Sequence, residues 1–226
     1  ELPAIQKQLV KALVDAGKKV IFVNFSGSTI ALKDEDKLCS AILQAWYPGQ
    51  EGGYAVADVL YGDFNPSGRL PLTFYADDSQ VKDFNDYDME GRTYRYFRGT
   101  PLYPFGYGLS YTNFKYGRPK FKTMADGSKA VVVRVKNKGR KDGDEIVQLY
   151  ISRPDDAQGP VKALRGMKRV SLKARKAAKV VIPIEEDTFN WWDAEAGRVV
   201  PRSGEYVLYV GGSSADSAQK TIKVTI

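Results

Sequence analysis

The chain has 226 residues, of which 43% are hydrophobic and 12% aromatic, and a formal net charge of +7. This balance excludes a disordered chain, and no apolar run reaches the roughly 18 to 20 residues that a membrane-spanning helix needs. Histidine is absent and Cys39 is the one cysteine, which removes Ser-His-Asp and Cys-His catalysis, His- or Cys-rich metal sites and any internal disulfide framework. The basic residues from Lys136 to Lys179 alternate with apolar ones, as on the solvated face of strands, so no nucleic-acid partner is expected.

Residues 1–16 place Ile5, Leu9, Ala12, Leu13 and Ala16 at helical spacing behind Pro3, with Gly17 to end the helix. The nearly continuous apolar run 19–25 then reads as a parallel strand covered on both faces. The order repeats: a Ser26-Gly27-Ser28 turn, a helix-compatible acidic stretch at 34–37, an apolar run at 41–46 and a Pro48-Gly49 break. A helix at 54–60, a turn at 65–68 and a strand-like run at 69–74 follow. Three strands are fewer than a usual sheet holds, so this α/β layer is expected to be partial, with further strands upstream. The neighbours of Cys39 predict a buried, inert thiol.

Residues 76–116 are irregular but rich in aromatics, which argues for a packed connector rather than a disordered linker. Beyond Lys120 the period becomes two, with strands expected near 129–137, 144–152, 163–171, 177–184, 204–211 and 219–226. Val147, Leu149 and Ile151 share one face, as do Val180, Ile182 and Ile184. Short strands without intervening helices predict a two-sheet sandwich, of the fibronectin type because it lacks a cysteine pair. The predicted organisation is therefore α/β over 1–75, a connector over 76–116 and an all-β fibronectin type III-like sandwich over 117–226.

Specific strings carry a resemblance. The runs AWYPGQEGG (45–53), ADVLYGD (57–63), NPSGRLP (65–71), EGRTYRYF (90–97) and PLYPFGYGLSY (101–111) closely resemble the second-domain signature of glycoside hydrolase family 3. The likeness continues through GDEIVQLY (143–150) and LRGMKRV (164–170) to Gly211-Gly212-Ser213-Ser214. It implies the C-terminal portion of a β-glucosidase or β-xylosidase, an upstream barrel domain on the same polypeptide, and an oligosaccharide or aryl or alkyl β-glycoside substrate. Homodimer formation is compatible with it, as is periplasmic or secreted location. It implies no metal and no cofactor.

A retaining glycosidase needs two carboxyl groups about 5 to 5.5 Å apart. In the family the nucleophilic Asp lies in the barrel and the acid/base Glu commonly lies ahead of the segment present here, so no catalytic residue is assigned to this chain. Candidate substrate contacts are Glu51, Tyr87, Asp88, Glu90 and Tyr94. Each has a structural alternative: Glu51 as a helix cap, Glu90 as an ion-pair partner of Arg92 or Arg95, and the tyrosines as packing. Trp191-Trp192 reads as sandwich core or as a binding platform. A stand-alone carbohydrate-binding or adhesion module is the rival reading; a small α/β ligand-binding domain is a third, without the Gly spacing and Lys of a phosphate loop.

Overall fold

The computed structural model describes all 226 residues, which divide into two compact units. The first comprises residues 1–64, 71–93 and 97–105, and the second comprises 65–70, 94–96 and 106–226. The aromatic stretch 76–116 is thus shared out between the units.

In the first unit α1 (Ala4–Asp15) follows Pro3, whose ψ of 143° keeps it outside the helix. The helix stops at Gly17, which adopts φ +73°, a conformation glycine takes without a Cβ clash. The Gly17 and Lys18 amides donate to the Val14 and Leu13 carbonyls, capping the end. The face the helix buries differs from the expected one: Leu2 and Val10 are buried, whereas Ile5, Leu9 and Leu13 are exposed at 71%, 60% and 40%. The helix packs against the short acidic α2 (Lys33–Leu38), which covers too little to take up the Ile5-Leu9-Leu13 stripe.

Strands β1 (Ile21–Asn24) and β2 (Ala41–Gln44) pair in parallel, Ile21 opposite Ala41 and Asn24 opposite Gln44. The run 69–74 does not become a third strand. Pro66 and Pro71 remove ladder donors, Leu70 exchanges backbone bonds with Gly106 and Tyr107 inside the second unit, and only Phe74 forms a bridge, to Tyr103. The sheet of the first unit therefore has two strands. Helix α3 (Gly52–Tyr61) closes on Gly62 at φ +83°. Cys39 is only partly buried; burial, then the Glu35 charge, push its thiol up.

A single helical turn, α4 (Thr93–Tyr96), precedes the strands of the second unit: β3 (Phe114–Tyr116), β4 (Lys120–Thr123), β5 (Lys129–Asn137), β6 (Gly143–Ser152), β7 (Ala163–Leu172), β8 (Ala177–Pro183), β9 (Asn190–Asp193), β10 (Arg198–Pro201), β11 (Glu205–Gly211) and β12 (Gln219–Thr225). One sheet runs β12-β11-β6-β7, and the other sets β5 between β8 and the successive β3 and β4. Hairpin β9–β10 stands apart. Period-two alternation sends Val131, Val133 and Val135 of β5 into one core with Val147, Leu149 and Ile151 of β6, Val180 and Ile182 of β8 and Leu208 of β11. Each such side chain stabilises the fold by about 1.5 to 3 kcal/mol. Tyr206 donates to the Arg202 carbonyl four residues upstream at 2.7 Å, the tyrosine-corner device of sandwich folds.

The other face of β6 is buried too. Tyr150 lies there at 0% exposure with its ring edge-on to Tyr94, and Gln148 donates to the Gly106 and Gly212 carbonyls. A side chain at Gly106 would be strained: its φ is +79° and a Cβ would stand 2.2 Å from Gln148 Oε1.

Candidate functional site

Ligands of open α/β sheets bind beyond the carboxyl ends of parallel strands. In the first unit that end is a closed polar network: Asn24 Nδ2 donates to Gln44 Oε1 at 2.7 Å and to Ser26 Oγ at 3.0 Å, and Ser26 Oγ donates to the Ser28 carbonyl. The network consumes its own donors and holds the turn after β1 against the end of β2. The chain then leaves β2 through Trp46, a non-glycine residue at φ +56°, whose ring sits edge-on to Phe74. Such a conformation costs about 1 to 3 kcal/mol and aims the following Tyr47 outward at 81% exposure. Gly27 leaves room for that ring, since a Cβ would come within 2.6 Å of it.

Glu51 lies just beyond, exposed, at the N-cap of α3. Its position at the helix N-terminus is the one expected for a capping carboxylate, although its side chain makes no capping hydrogen bond.

Tyr87, Asp88 and Glu90 share one loop of the same unit. Three carboxylates fold that loop on itself: Asp83, Asp86 and Asp88 accept from the amides of Asn85, Asp88 and Glu90. Arg92 completes it by donating to the carbonyls of Asp83, Asp86 and Asp88. The guanidinium is thus a backbone staple, not the ion-pair partner of Glu90 that its spacing suggested. Lys82 pairs with Asp86 at 2.7 Å and holds that carboxyl below its ordinary range, helped by the Asp88 amide. Asp88 and Glu90 are exposed, and so are the loop's rings, Phe84 at 88% and Tyr87 at 85%.

Tyr94 belongs to the second unit. Its hydroxyl accepts from the Leu164 amide at 3.0 Å and its ring packs on Tyr150, an anchoring role for the 94–96 segment. Trp191-Trp192 divides: Trp191 is core, its indole donating to Asp156 Oδ2 at 2.5 Å, while Trp192 is 58% exposed. A buried ion pair joins Arg69 to Glu145 at 2.7 Å, and the Tyr116 hydroxyl donates to the same carboxylate at 2.6 Å. Burial, reinforced by the Glu145 charge, pushes the Tyr116 phenol far up. These groups are locked in one another and fix the 65–70 segment within the second unit. No group of Cys, Asp or Glu side chains is arranged to hold a metal ion.

The two units are thus a small α/β unit with an exposed loop of carboxylates and aromatics, and a fibronectin-like sandwich. The profile of the glycosyl hydrolase family 3 C-terminal domain matches residues 1–111, and that of the fibronectin type III-like domain matches 145–214. The chain belongs to glycoside hydrolase family 3, of whose members it is the C-terminal portion. It is 49% identical, over its whole length, to 26% of a xylan 1,4-beta-xylosidase from Xylanibacter ruminicola. Identity is 34% to a periplasmic beta-glucosidase from Salmonella typhimurium, over 99% of this chain and 31% of that protein. Among solved structures, the beta-glucosidase DesR from Streptomyces venezuelae, crystallised with D-glucose, superposes with a TM-score of 0.88 at 32% identity, over 100% of this chain and 31% of that one. The chain thus spans about a quarter to a third of the length of these relatives.

Proposed function

We propose that the complete protein is a retaining β-glycosidase that releases terminal β-linked xylose, or glucose, from oligosaccharides and simple β-glycosides, and that this chain is its non-catalytic C-terminal portion. The observation that carries this reading is the whole-chain similarity to named β-xylosidases and β-glucosidases; xylose leads because the identity is 49% to the first and 34% to the second. Double displacement requires a nucleophilic carboxylate and an acid/base carboxyl about 5 to 5.5 Å apart. Neither carboxyl role is assigned to this chain: Glu51 and the 83–91 loop are separate elements, and Tyr94 is engaged in packing.

In this reading the first unit borders the sugar site. The loop stapled by Arg92 presents Tyr87 with the carboxylates of Asp88 and Glu90, a ring for a sugar face beside acceptors for its hydroxyls. The exposed apolar stripe of α1 takes up the preceding barrel-bearing part of the polypeptide. We place the protein in the periplasm or outside the cell, in line with the periplasmic beta-glucosidase among the relatives. Assay of nitrophenyl β-xyloside and β-glucoside tests the reading. The complete protein turns over one or both, and the 226-residue chain alone turns over neither; no turnover by the complete protein contradicts it.

A further inference from the structure

The sheet of β3, β4, β5 and β8 turns one face to the core. Val131, Val133 and Val135 of β5 and Val180 and Ile182 of β8 are core residues, and Phe114, Tyr116 and Phe121 pack against them. Strand alternation therefore gathers Lys115, Lys120, Lys122, Arg134, Lys136 and Lys179 on the opposite face. Lys136 is half-buried and the other five are exposed. The antiparallel register sets Lys115 directly across from Lys136, and Arg134 directly across from Lys179. Residues so placed have Cβ atoms about 4.5 to 5.5 Å apart, and like charges there are destabilising.

Elsewhere in the sandwich unit cations meet acids: Lys162 pairs with Asp216, Arg169 with Asp144 and Lys223 with Glu205. None of the six cations on this face forms an ion pair or a side-chain hydrogen bond. No strand of the sheet contains an acidic residue. The nearest acids in sequence lie past one end of it: Asp126 in the β4–β5 turn, whose carboxylate accepts from Ser128, and Glu185 beyond β8. Past the other end the exposed Lys138 and Lys176 continue the positive charge. A face of one sign, with two like-charge pairs and no counter-charge of its own, is complementary to an anionic polymer.

We propose that this face binds a carboxylated polysaccharide, a chain of uronic acid residues, through ammonium–carboxylate pairs distributed over the four strands. The positions on this face hold no aromatic residue, so a single-stranded nucleic acid finds no ring on which to stack its bases. A flat sheet face also offers duplex DNA no element to enter a groove. A lipid surface needs an apolar anchor beside the basic patch, and here Ala130 and Val132 are buried with no Trp, Phe or Leu among the outward positions. A polyuronate requires only spaced cations. The choice of a saccharide among polyanions rests on the glycosidase reading; the binding itself involves no turnover, so a failed activity assay and a failed binding assay are separate results.

The test is titration calorimetry of the 226-residue chain with sodium polygalacturonate, with neutral xylan, vesicles of phosphatidylglycerol and duplex DNA titrated separately. The expected result is saturable binding of polygalacturonate that weakens as salt rises, because exposed charges are screened, and no binding of neutral xylan. K115E/K179E weakens it by about tenfold or more. The same variant keeps or raises the thermal midpoint, since each new carboxylate faces a cation, Lys136 or Arg134. K168E/K220E, an equal change of net charge at exposed positions of the other sheet, retains most of the affinity. Absence of saturable binding to polygalacturonate, unchanged affinity in K115E/K179E, or an equal loss in K168E/K220E overturns the proposal. So does tighter binding to the vesicles or to DNA than to polygalacturonate.

Discussion

In the sandwich unit, Val131, Val135, Val147, Leu149 and Ile151 are all at 0% exposure, and β6 is covered on both faces. In the α/β unit the buried apolar residues are only Leu2, Val10, Leu32 and Phe74. Of the large hydrophobic side chains left exposed, all but Leu109, Tyr111, Met167, Trp192 and Val199 belong to that unit. A parallel pair of strands normally lies under helices on both faces; here Ile21 is 49% exposed and the α1 stripe faces water. The contrast teaches that one unit closes on itself, whereas the other leaves much of its apolar surface in water.

The comparison can be broken most forcefully in the sandwich. Leu149→Ala empties a fully buried site and is expected to lower stability by about 2 to 5 kcal/mol, read as a fall in the urea midpoint; a loss under 1 kcal/mol would mean that the second unit is not the stable one. Gly106→Ala is next: it forces a Cβ against Gln148 and strains a positive φ, for an expected loss of about 1 to 3 kcal/mol. Its effect belongs to the same cooperative transition, which circular dichroism at two wavelengths can check.

In the α/β unit the expected effects are smaller and local. Arg92→Ala removes the three carbonyl contacts of the 83–91 loop and should cost about 1 to 2 kcal/mol, seen as new proteolytic cleavage between Lys82 and Arg92 with little change in the global midpoint. The smallest effect is one of pH. Lys33, then Ser79, hold the Asp77 carboxyl down at about 2, below its ordinary value of 3.8. A carboxyl depressed on folding stabilises the native state above its unfolded pKa and loses that contribution as pH falls toward the folded value. Asp77→Asn should therefore flatten the stability of the α/β unit between about pH 4 and pH 2 and leave the sandwich transition unmoved; an unchanged acid profile would show that the Lys33–Asp77 pair contributes nothing.

The sandwich was legible in the sequence because period-two alternation is imposed by the core it builds. The Val147-Leu149-Ile151 and Val180-Ile182 faces fall where the pattern puts them. The run 69–74 was misleading for a physical reason: its apolar residues resemble a strand, but the flanking prolines and the exchange of Leu70 with Gly106 and Tyr107 take it out of the sheet. The α1 face could not be read correctly either, since helical spacing marks an apolar stripe without saying what covers it. At the candidate site, the clustering of Asp86, Asp88 and Glu90 is readable from their spacing, whereas the part Arg92 plays is not; bonds to backbone carbonyls leave no trace in side-chain chemistry.

Amide hydrogen exchange on the dilute, monomeric 226-residue chain tests the central contrast most directly. Slow exchange across β6 and β11, around Val147 and Leu208, with fast exchange across β1, β2 and α1, is the predicted result. Uniformly slow exchange through residues 1–64 in a monomer would contradict it, because the α/β unit would then be complete by itself.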